Sequence, residues 1–128
     1  MKFKNWKSVQ AHAMFQVLKK ELSPEEVSSF MREAAIMAQV RHPNVVSLVG
    51  VCTAGAPKML VMQFCEHGSL LSFLQRHLGF SELQLRSKLK IMNDVAFGMN
   101  FLSSLLIVHR DLAARNILVG ADYICKVL

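Results

Sequence analysis

The chain has 128 residues, of which 52% are hydrophobic and 19% are charged, and its formal net charge at pH 7 is +6. This length is sufficient for one domain with one core, and no apolar run is long enough to span a bilayer. The basic residues are scattered, with few aromatics among them, which argues against nucleic-acid binding and favours phosphates or acidic peptides as anionic partners. The three cysteines are widely spaced, which favours reduced thiols in a cytoplasmic protein over a disulfide frame or a zinc site.

The first part of the chain predicts a strand followed by a helix. Residues 12–20 (HAMFQVLKK) have the composition of a strand. Ser23 is a suitable N-cap for the helix, Pro24 suits its first position, and Glu26 completes a capping box. Apolar residues then recur at helical spacing until Pro43 supplies a turn, so we expect the helix to end shortly before that proline.

Two β-type runs follow the turn. Residues 45–52 (VVSLVGVC) and 59–64 (MLVMQF) are rich in β-branched and large apolar residues, and TAGAP between them has the composition of a turn. These runs predict an antiparallel pair of strands.

The rest of the chain predicts two helices and a hairpin. Ser69 is expected to cap a short helix (LLSFLQRHL) that ends at Gly79, and residues 82–106 predict a long helix with a broad apolar face. NILVG and YICKVL flank a turn near Gly120 and predict a hairpin. Because strands and helices do not alternate regularly, the pattern favours an α+β fold over a doubly wound sheet.

A polar string, HRDLAARN (residues 109–116), separates the long helix from the hairpin. Asp111 beside cations can stay ionised and act as a general base, and Asn116 offers an oxygen ligand suited to Mg²⁺. Arg115 can lie against a transferring phosphoryl group, and Arg110 can pair with another anion. The alternative is a helix-terminal turn whose polar side chains satisfy one another and cap the backbone.

The order of these residues resembles the catalytic loop H-R-D-x-x-x-x-N of protein kinases, and LAAR is similar to the tyrosine-specific branch. FMREAAIM resembles the kinase αC helix, with Glu33 as the acid that pairs with a strand lysine. LVMQFCEHGSLLSFL resembles the hinge region, with Met62 at the gatekeeper position. The resemblance implies an incomplete protein-kinase-like fold, with an N-lobe part at about residues 13–64 and the start of a C-lobe at about residues 65–128.

The resemblance also implies a function, the transfer of the ATP γ-phosphate to a protein tyrosine with the help of Mg²⁺. In this interpretation Asp111 is the base that orients the tyrosine hydroxyl, Arg115 helps to place the tyrosine, and Asn116 holds the metal. His109 is expected to have a structural role. The residues expected to bind ATP are Gln63, Phe64, Cys65, Leu118 and Glu33.

The chain departs from the family pattern at three points. Gln16 occupies the position of the strand lysine, and a neutral side chain can neither hold phosphates nor pair ionically with Glu33. MKFKNWKSVQAHA, at the start, contains no glycine and does not resemble a Gly-rich phosphate loop, and the chain stops at Leu128, where Asp-Phe-Gly would follow. We therefore expect this chain by itself to be inactive and to bind ATP and Mg²⁺ weakly or not at all.

Three interpretations remain open. The first is part of a tyrosine kinase domain, from a truncated product or an incomplete gene model, with a tyrosine-containing protein as the family's substrate. The second is a non-catalytic, pseudokinase-like module that binds another kinase or an adaptor, which the glutamine at position 16 favours. The third is an unrelated small α+β protein. For the first two, the expected location is cytoplasmic, or the cytosolic face of a membrane if the parent is a receptor.

Overall fold

The computed structural model describes the backbone of residues 13–17 and residues 23–54, 58–76 and 84–128 in full. These residues form two compact units. Unit 1 lies within Met1–Arg41 and Ser47–Phe64, and unit 2 comprises His42–Val46 and Cys65–Leu128. Helices combine with small antiparallel sheets, which confirms the α+β class. Within the described ranges, no helix is long and apolar enough to cross a membrane.

Unit 1 is a three-stranded antiparallel sheet with one helix against it. Its elements are β1 (Ala13–Val17), α1 (Pro24–Gln39), β2 (Leu48–Cys52) and β3 (Met59–Gln63). β3 is the central strand and pairs with both neighbours, and α1 packs against β2. Leu60, Val61 and Met62 are buried, as expected for a central strand.

The capping box predicted for α1 is confirmed. The Ser23 hydroxyl accepts a hydrogen bond from the Glu26 N–H at 3.2 Å, and the Glu26 carboxylate accepts one from the Ser23 N–H at 2.7 Å. The helix ends at Gln39, shortly before Pro43 as predicted. Only Phe30 and Ala34, one turn apart, are buried on α1, so the helix packs on a narrow stripe.

Unit 2 contains a second three-stranded sheet, two helices and a polar loop. Its elements are β4 (Gly68–Ser69), α2 (Leu70–Arg76), α3 (Leu85–Ser104), a 3₁₀ turn (Ala114–Asn116), β5 (Ile117–Val119) and β6 (Cys125–Val127). The hairpin of β5 and β6 confirms the prediction, whereas β4, which pairs with β5, was not expected from the sequence. The cap of α2 is also confirmed, because the Ser69 hydroxyl accepts from the Ser72 N–H at 3.2 Å. Gly79, the expected end of α2, lies outside the described residues.

The strand predicted over residues 45–52 is wrong in its first three residues, because β2 begins at Leu48. The Val46 N–H donates to the carbonyl of Val127 at 2.8 Å, and Val45 forms a parallel bridge with the same residue. Val45 and Val46 are therefore held by β6 within unit 2, and β-propensity alone gave no sign of this different partner.

The long helix is shorter than predicted at its C-terminal end. Leu106 adopts a left-handed backbone with φ of 59°, its N–H donates to Ser103, and the N–H of Ile107 donates to Leu102. This is a Schellman motif, which ends α3 at Ser104. A leucine at the left-handed position, where glycine is usual, carries no sequence signal for a stop. The start of the predicted range lies outside the described residues.

The buried stripe of α3 is not its most apolar one. Asp94, Gly98 and Leu102, spaced four residues apart, are buried, while Leu85 and Leu89 are 70% and 53% exposed. Of the broad apolar face expected from the sequence, the N-terminal part is therefore exposed in unit 2, whereas Leu102 near its C-terminal end is buried. Gly98 allows the close approach, since a Cβ built on it would collide with the backbone carbonyl of Asn44.

We predict that Gly98→Ala destabilises the protein by about 2 kcal/mol, because the added methyl must displace backbone in a packed region. Alanine in an unconstrained helix interior would instead stabilise by roughly 1 kcal/mol. Chemical denaturation measures the difference, and Asn100→Ala, at an exposed position two residues on, is the matched control. A Gly98→Ala variant as stable as the parent would contradict the close approach.

Candidate functional site

The polar string of the sequence forms one hydrogen-bonded cluster in unit 2. Both carboxylate oxygens of Asp111 are engaged. Oδ1 accepts from the Arg115 guanidinium at 2.6 Å, and Oδ2 accepts from the Asn116 side-chain amide at 2.8 Å. The 3₁₀ turn Ala114–Asn116 brings these two side chains back towards Asp111. Asp111 and Arg115 are each 61% exposed at their side chains, so the carboxylate is oriented yet open to a ligand.

His109 anchors this cluster from the other side. Its Nδ1 accepts a hydrogen bond from the Asp111 N–H at 3.2 Å, so the ring proton must lie on Nε2. Nε2 then donates to the carbonyl of Leu128 at 2.9 Å. The N–H of Leu128 donates to the Asn116 carbonyl, also at 2.9 Å, which ties both ends of the loop to the residue that follows β6.

The residues expected to contact a nucleotide are divided between the two units. In unit 1, Glu33 is exposed on α1, Gln63 is half-buried at the end of β3, and Phe64 is 43% exposed. In unit 2, Cys65 and Leu118 are both buried, Leu118 in the middle strand of its sheet. Asp111, Arg115 and Asn116 are thus brought together, whereas the expected nucleotide contacts are not gathered within one unit.

The position of the strand lysine lies on β1. Gln16 pairs with Leu60 of β3 in the antiparallel register, so the residue occupies a regular ladder position. Glu33, the acid expected to pair with a lysine there, forms no ion pair among the described side chains. The substitution of lysine by glutamine therefore falls on an ordinary strand residue of unit 1.

Mg²⁺ does not fit the described donor set. Asn116 uses its amide nitrogen for both of its bonds to Asp111, which leaves one amide oxygen for a cation. Both Asp111 oxygens already accept hydrogen bonds, and within the described parts of the chain no group of three His, Cys, Asp or Glu side chains could hold a metal. Magnesium usually requires an octahedral set of oxygens that includes a carboxylate. The described residues do not provide such a set.

Comparison with known proteins settles the relationship. The family model of the protein tyrosine and serine/threonine kinases matches residues 2–128. The chain belongs to this family. This confirms the resemblance drawn from the polar string and its neighbours, and excludes the interpretation as an unrelated small protein. Members of the kinase family generally use ATP and Mg²⁺.

Several ephrin receptors are similar to this kinase-family chain. Ephrin type-B receptor 5 of Gallus gallus is 49% identical over 113 residues, which cover 88% of the chain and 11% of that receptor. Ephrin type-A receptor 8 of Rattus norvegicus is 48% identical over 113 residues, with 88% of the chain and 30% of the relative covered. The relatives support the tyrosine kinase branch. The chain spans only about a tenth of the avian receptor's length.

One residue important for this part of the kinase domain was missed in the sequence. Asp94 is 9% exposed on α3, and its carboxylate accepts from the Cys125 N–H at 2.9 Å and from the Lys90 ammonium at 2.8 Å. It therefore holds β6 against α3. The available signal was an acid in an apolar helix with a lysine four residues earlier, a spacing that puts both on one face.

Two of the three thiols are shielded. Burial raises the pKa of the Cys65 thiol, the nearby Lys126 charge opposes this, and Glu66 adds to it. Burial also raises the pKa of Cys125 from 9.0 to about 11, with Asp94 adding to the shift and Lys90 opposing it. Since the thiolate is the reactive form, both side chains are unreactive near neutral pH.

We predict that iodoacetamide at about pH 8 labels half-buried Cys52 first and leaves Cys65 and Cys125 unlabelled until the protein unfolds. Because the folded pKa of Cys125 lies above its unfolded value, its stabilising contribution is complete below about pH 9 and is lost as the pH rises towards about 11. Peptide mass spectrometry, with a denatured sample as control, measures the labelling. Equal labelling of all three thiols in the folded protein would contradict the shielding.

Proposed function

We propose that this part of a tyrosine kinase domain positions a protein tyrosine at Asp111 but does not by itself transfer phosphate. The supporting observation is the cluster that orients the Asp111 carboxylate through Arg115 and Asn116 while leaving it exposed. A tyrosine hydroxyl can donate to such a carboxylate, which would hold the hydroxyl proton as a general base. Arg115 would keep the carboxylate in place and balance its charge.

The proposed inactivity rests on Gln16. Phosphoryl transfer depends on positioning and charge neutralisation of the phosphates, and the family's strand lysine provides one of those positive charges. Glutamine is neutral, so the phosphates would lose this contact. ATP would supply the phosphoryl group, with Gln63, Phe64, Cys65 and Leu118 as the proposed adenine side.

The boundaries of the two lobes are proposed from the resemblance to the kinase family. Residues 13–64 would form the N-lobe part and residues 65–128 the start of the C-lobe. The substrate class would be a tyrosine-containing protein, as the kinase family implies, and the domain would lie in the cytoplasm or at the cytosolic face of a membrane.

We predict no transfer of radiolabelled phosphate from ATP to a tyrosine-containing copolymer above background. The assay includes Asp111→Asn, which removes the proposed base, and Asp122→Asn, which changes an exposed aspartate in the turn between β5 and β6. Transfer that is lost in Asp111→Asn and retained in Asp122→Asn would overturn the proposed inactivity and establish Asp111 as a base.

The same proposal is tested by nucleotide binding. Gln16→Lys should tighten ATP binding about tenfold, because a lysine at this position adds a charge-assisted contact to phosphate. Adenosine, which has no phosphate, should bind the parent and the variant equally. Isothermal titration measures both ligands. An equal gain for adenosine, or none for ATP, would show that position 16 does not face the phosphates.

A second candidate function is a non-catalytic module that binds another kinase, and the glutamine at position 16 favours it. We predict a complex between this chain and the kinase domain of Ephrin type-B receptor 5 in sedimentation velocity. Asp111→Asn should not weaken the complex, because a module of this kind does not need the base. Independent sedimentation of the two proteins would contradict this function, and loss of the complex in Asp111→Asn would indicate a substrate-like contact instead.

A further inference from the structure

A cavity of about 350 Å³ lies in unit 2 between α2, α3 and the hairpin of β5 and β6. The residues that define it are Phe73, Lys90, Ile91, Val119, Tyr123 and Cys125. Its volume falls in the range of small-molecule sites. None of the lining residues belongs to the cluster around Asp111, so the cavity is a separate feature of the unit.

The interior of this cavity is apolar. Val119 and Cys125 are each 1% exposed and form its floor, and Phe73 and Ile91 line its sides. The Cys125 thiol stays protonated at neutral pH, since burial raises its pKa to about 11. The floor therefore carries no charge, and the group that fits best against it is a hydrocarbon or an aromatic ring.

Among the described residues that line the cavity, Lys90 carries a positive charge at the rim. The Lys90 ammonium donates to the Asp94 carboxylate at 2.8 Å and to the carbonyl of Tyr123 at 2.9 Å. An ammonium has three hydrogens, so one remains for a ligand. Asp94 is the acidic partner of Lys90 and is 9% exposed, whereas the lysine side chain is 46% exposed. Among the described residues of the rim, the accessible charge is therefore positive.

Tyr123 forms a fixed wall on this rim. Its backbone is left-handed, with φ of 54°, a conformation that is costly for an aromatic residue. The ring stacks on His67 with centroids 4.6 Å apart, and it lies tilted against Phe73 at 6.0 Å. The unusual backbone turns the Tyr123 carbonyl towards Lys90, so one strained residue supplies both the aromatic wall and the partner that orients the cation.

We propose that this cavity binds a small aromatic carboxylic acid. The ring lies on the apolar floor beside the packed rings of Phe73 and Tyr123, and the carboxylate accepts a hydrogen bond from Lys90. This site is independent of the function proposed for Asp111 and requires neither ATP nor phosphate transfer.

The test uses Tyr123, which is the single tyrosine of the chain. Isotope-labelled tyrosine gives one set of ring signals in an NMR spectrum, and these report directly on the cavity. Titration of the full chain with phenylbutyrate should shift these signals saturably, with a dissociation constant of about 1 mM for a ligand of this size. Phenylbutanol, the neutral analogue, should bind about tenfold more weakly. No shift up to about 10 mM acid, or equal binding of the alcohol, would overturn the proposal.

Three variants locate the binding site. Ser87→Phe, on the α3 wall of the cavity, should reduce the affinity at least about tenfold by filling the space, and Ser103→Phe, exposed on the same helix, should bind like the parent. Lys90→Gln keeps hydrogen-bonding groups for Asp94, and it should weaken the binding of phenylbutyrate but not that of phenylbutanol. If Ser87→Phe fails to fold, transfer of magnetisation between the phenyl protons of the ligand and the Tyr123 ring in the parent decides the matter, because its absence rules the site out.

Discussion

The backbone of β6 and Leu128 is the element on which unit 2 depends. Val127 accepts from the N–H of Val46, and Leu128 donates its N–H to the Asn116 carbonyl and accepts at its own carbonyl from the His109 ring. A strand that is paired on one edge by β5 is therefore also bonded to the turn before β2 and to the polar loop. Buried backbone groups must find partners, and here those partners come from segments far apart in the chain. The orientation of the polar loop follows from this strand.

Much of the fold could be predicted because its signals are local. The capping box at Ser23 and the hairpin turn near Gly120 are decided by residues a few positions apart, and both formed as predicted. Two of the features that were missed involve partners distant in the sequence, and a third is a local backbone conformation. Val45 has strand propensity but is bonded to β6, and Leu106 ends α3 through a backbone conformation that its side chain does not favour. Asp94 was not singled out from the sequence, and its partner, the Cys125 N–H, is 31 residues away.

The distinction between partners near in the sequence and partners far apart also applies to the candidate site. The three polar residues of the loop lie within six positions of one another, so the sequence alone could indicate that they meet, and they do. The residues expected to contact a nucleotide are instead distributed over both units, with Glu33 on α1 and Leu118 on β5. The HRDLAARN motif therefore carries information about the residues expected to face the substrate tyrosine. In the kinase family a strand lysine is one of the phosphate contacts, and a single position of this kind gives no extended pattern to read from the sequence.

The strained backbone positions among the described residues all lie in unit 2, at the end of α3, in the polar loop and in the hairpin. The three non-glycine residues with positive φ are Leu106, Arg110 and Tyr123. Leu106 ends α3, Arg110 turns the chain so that the Asp111 N–H can reach the ring of His109, and Tyr123 shapes the hairpin. Such conformations persist only where the surroundings fix them from several directions. The hydrogen bonds of β6 and Leu128 provide that fixation on both sides of the loop. The loop geometry therefore combines hydrogen bonds within HRDLAARN itself with hydrogen bonds to the residue that ends the following hairpin, so local and distant contacts act on the same loop.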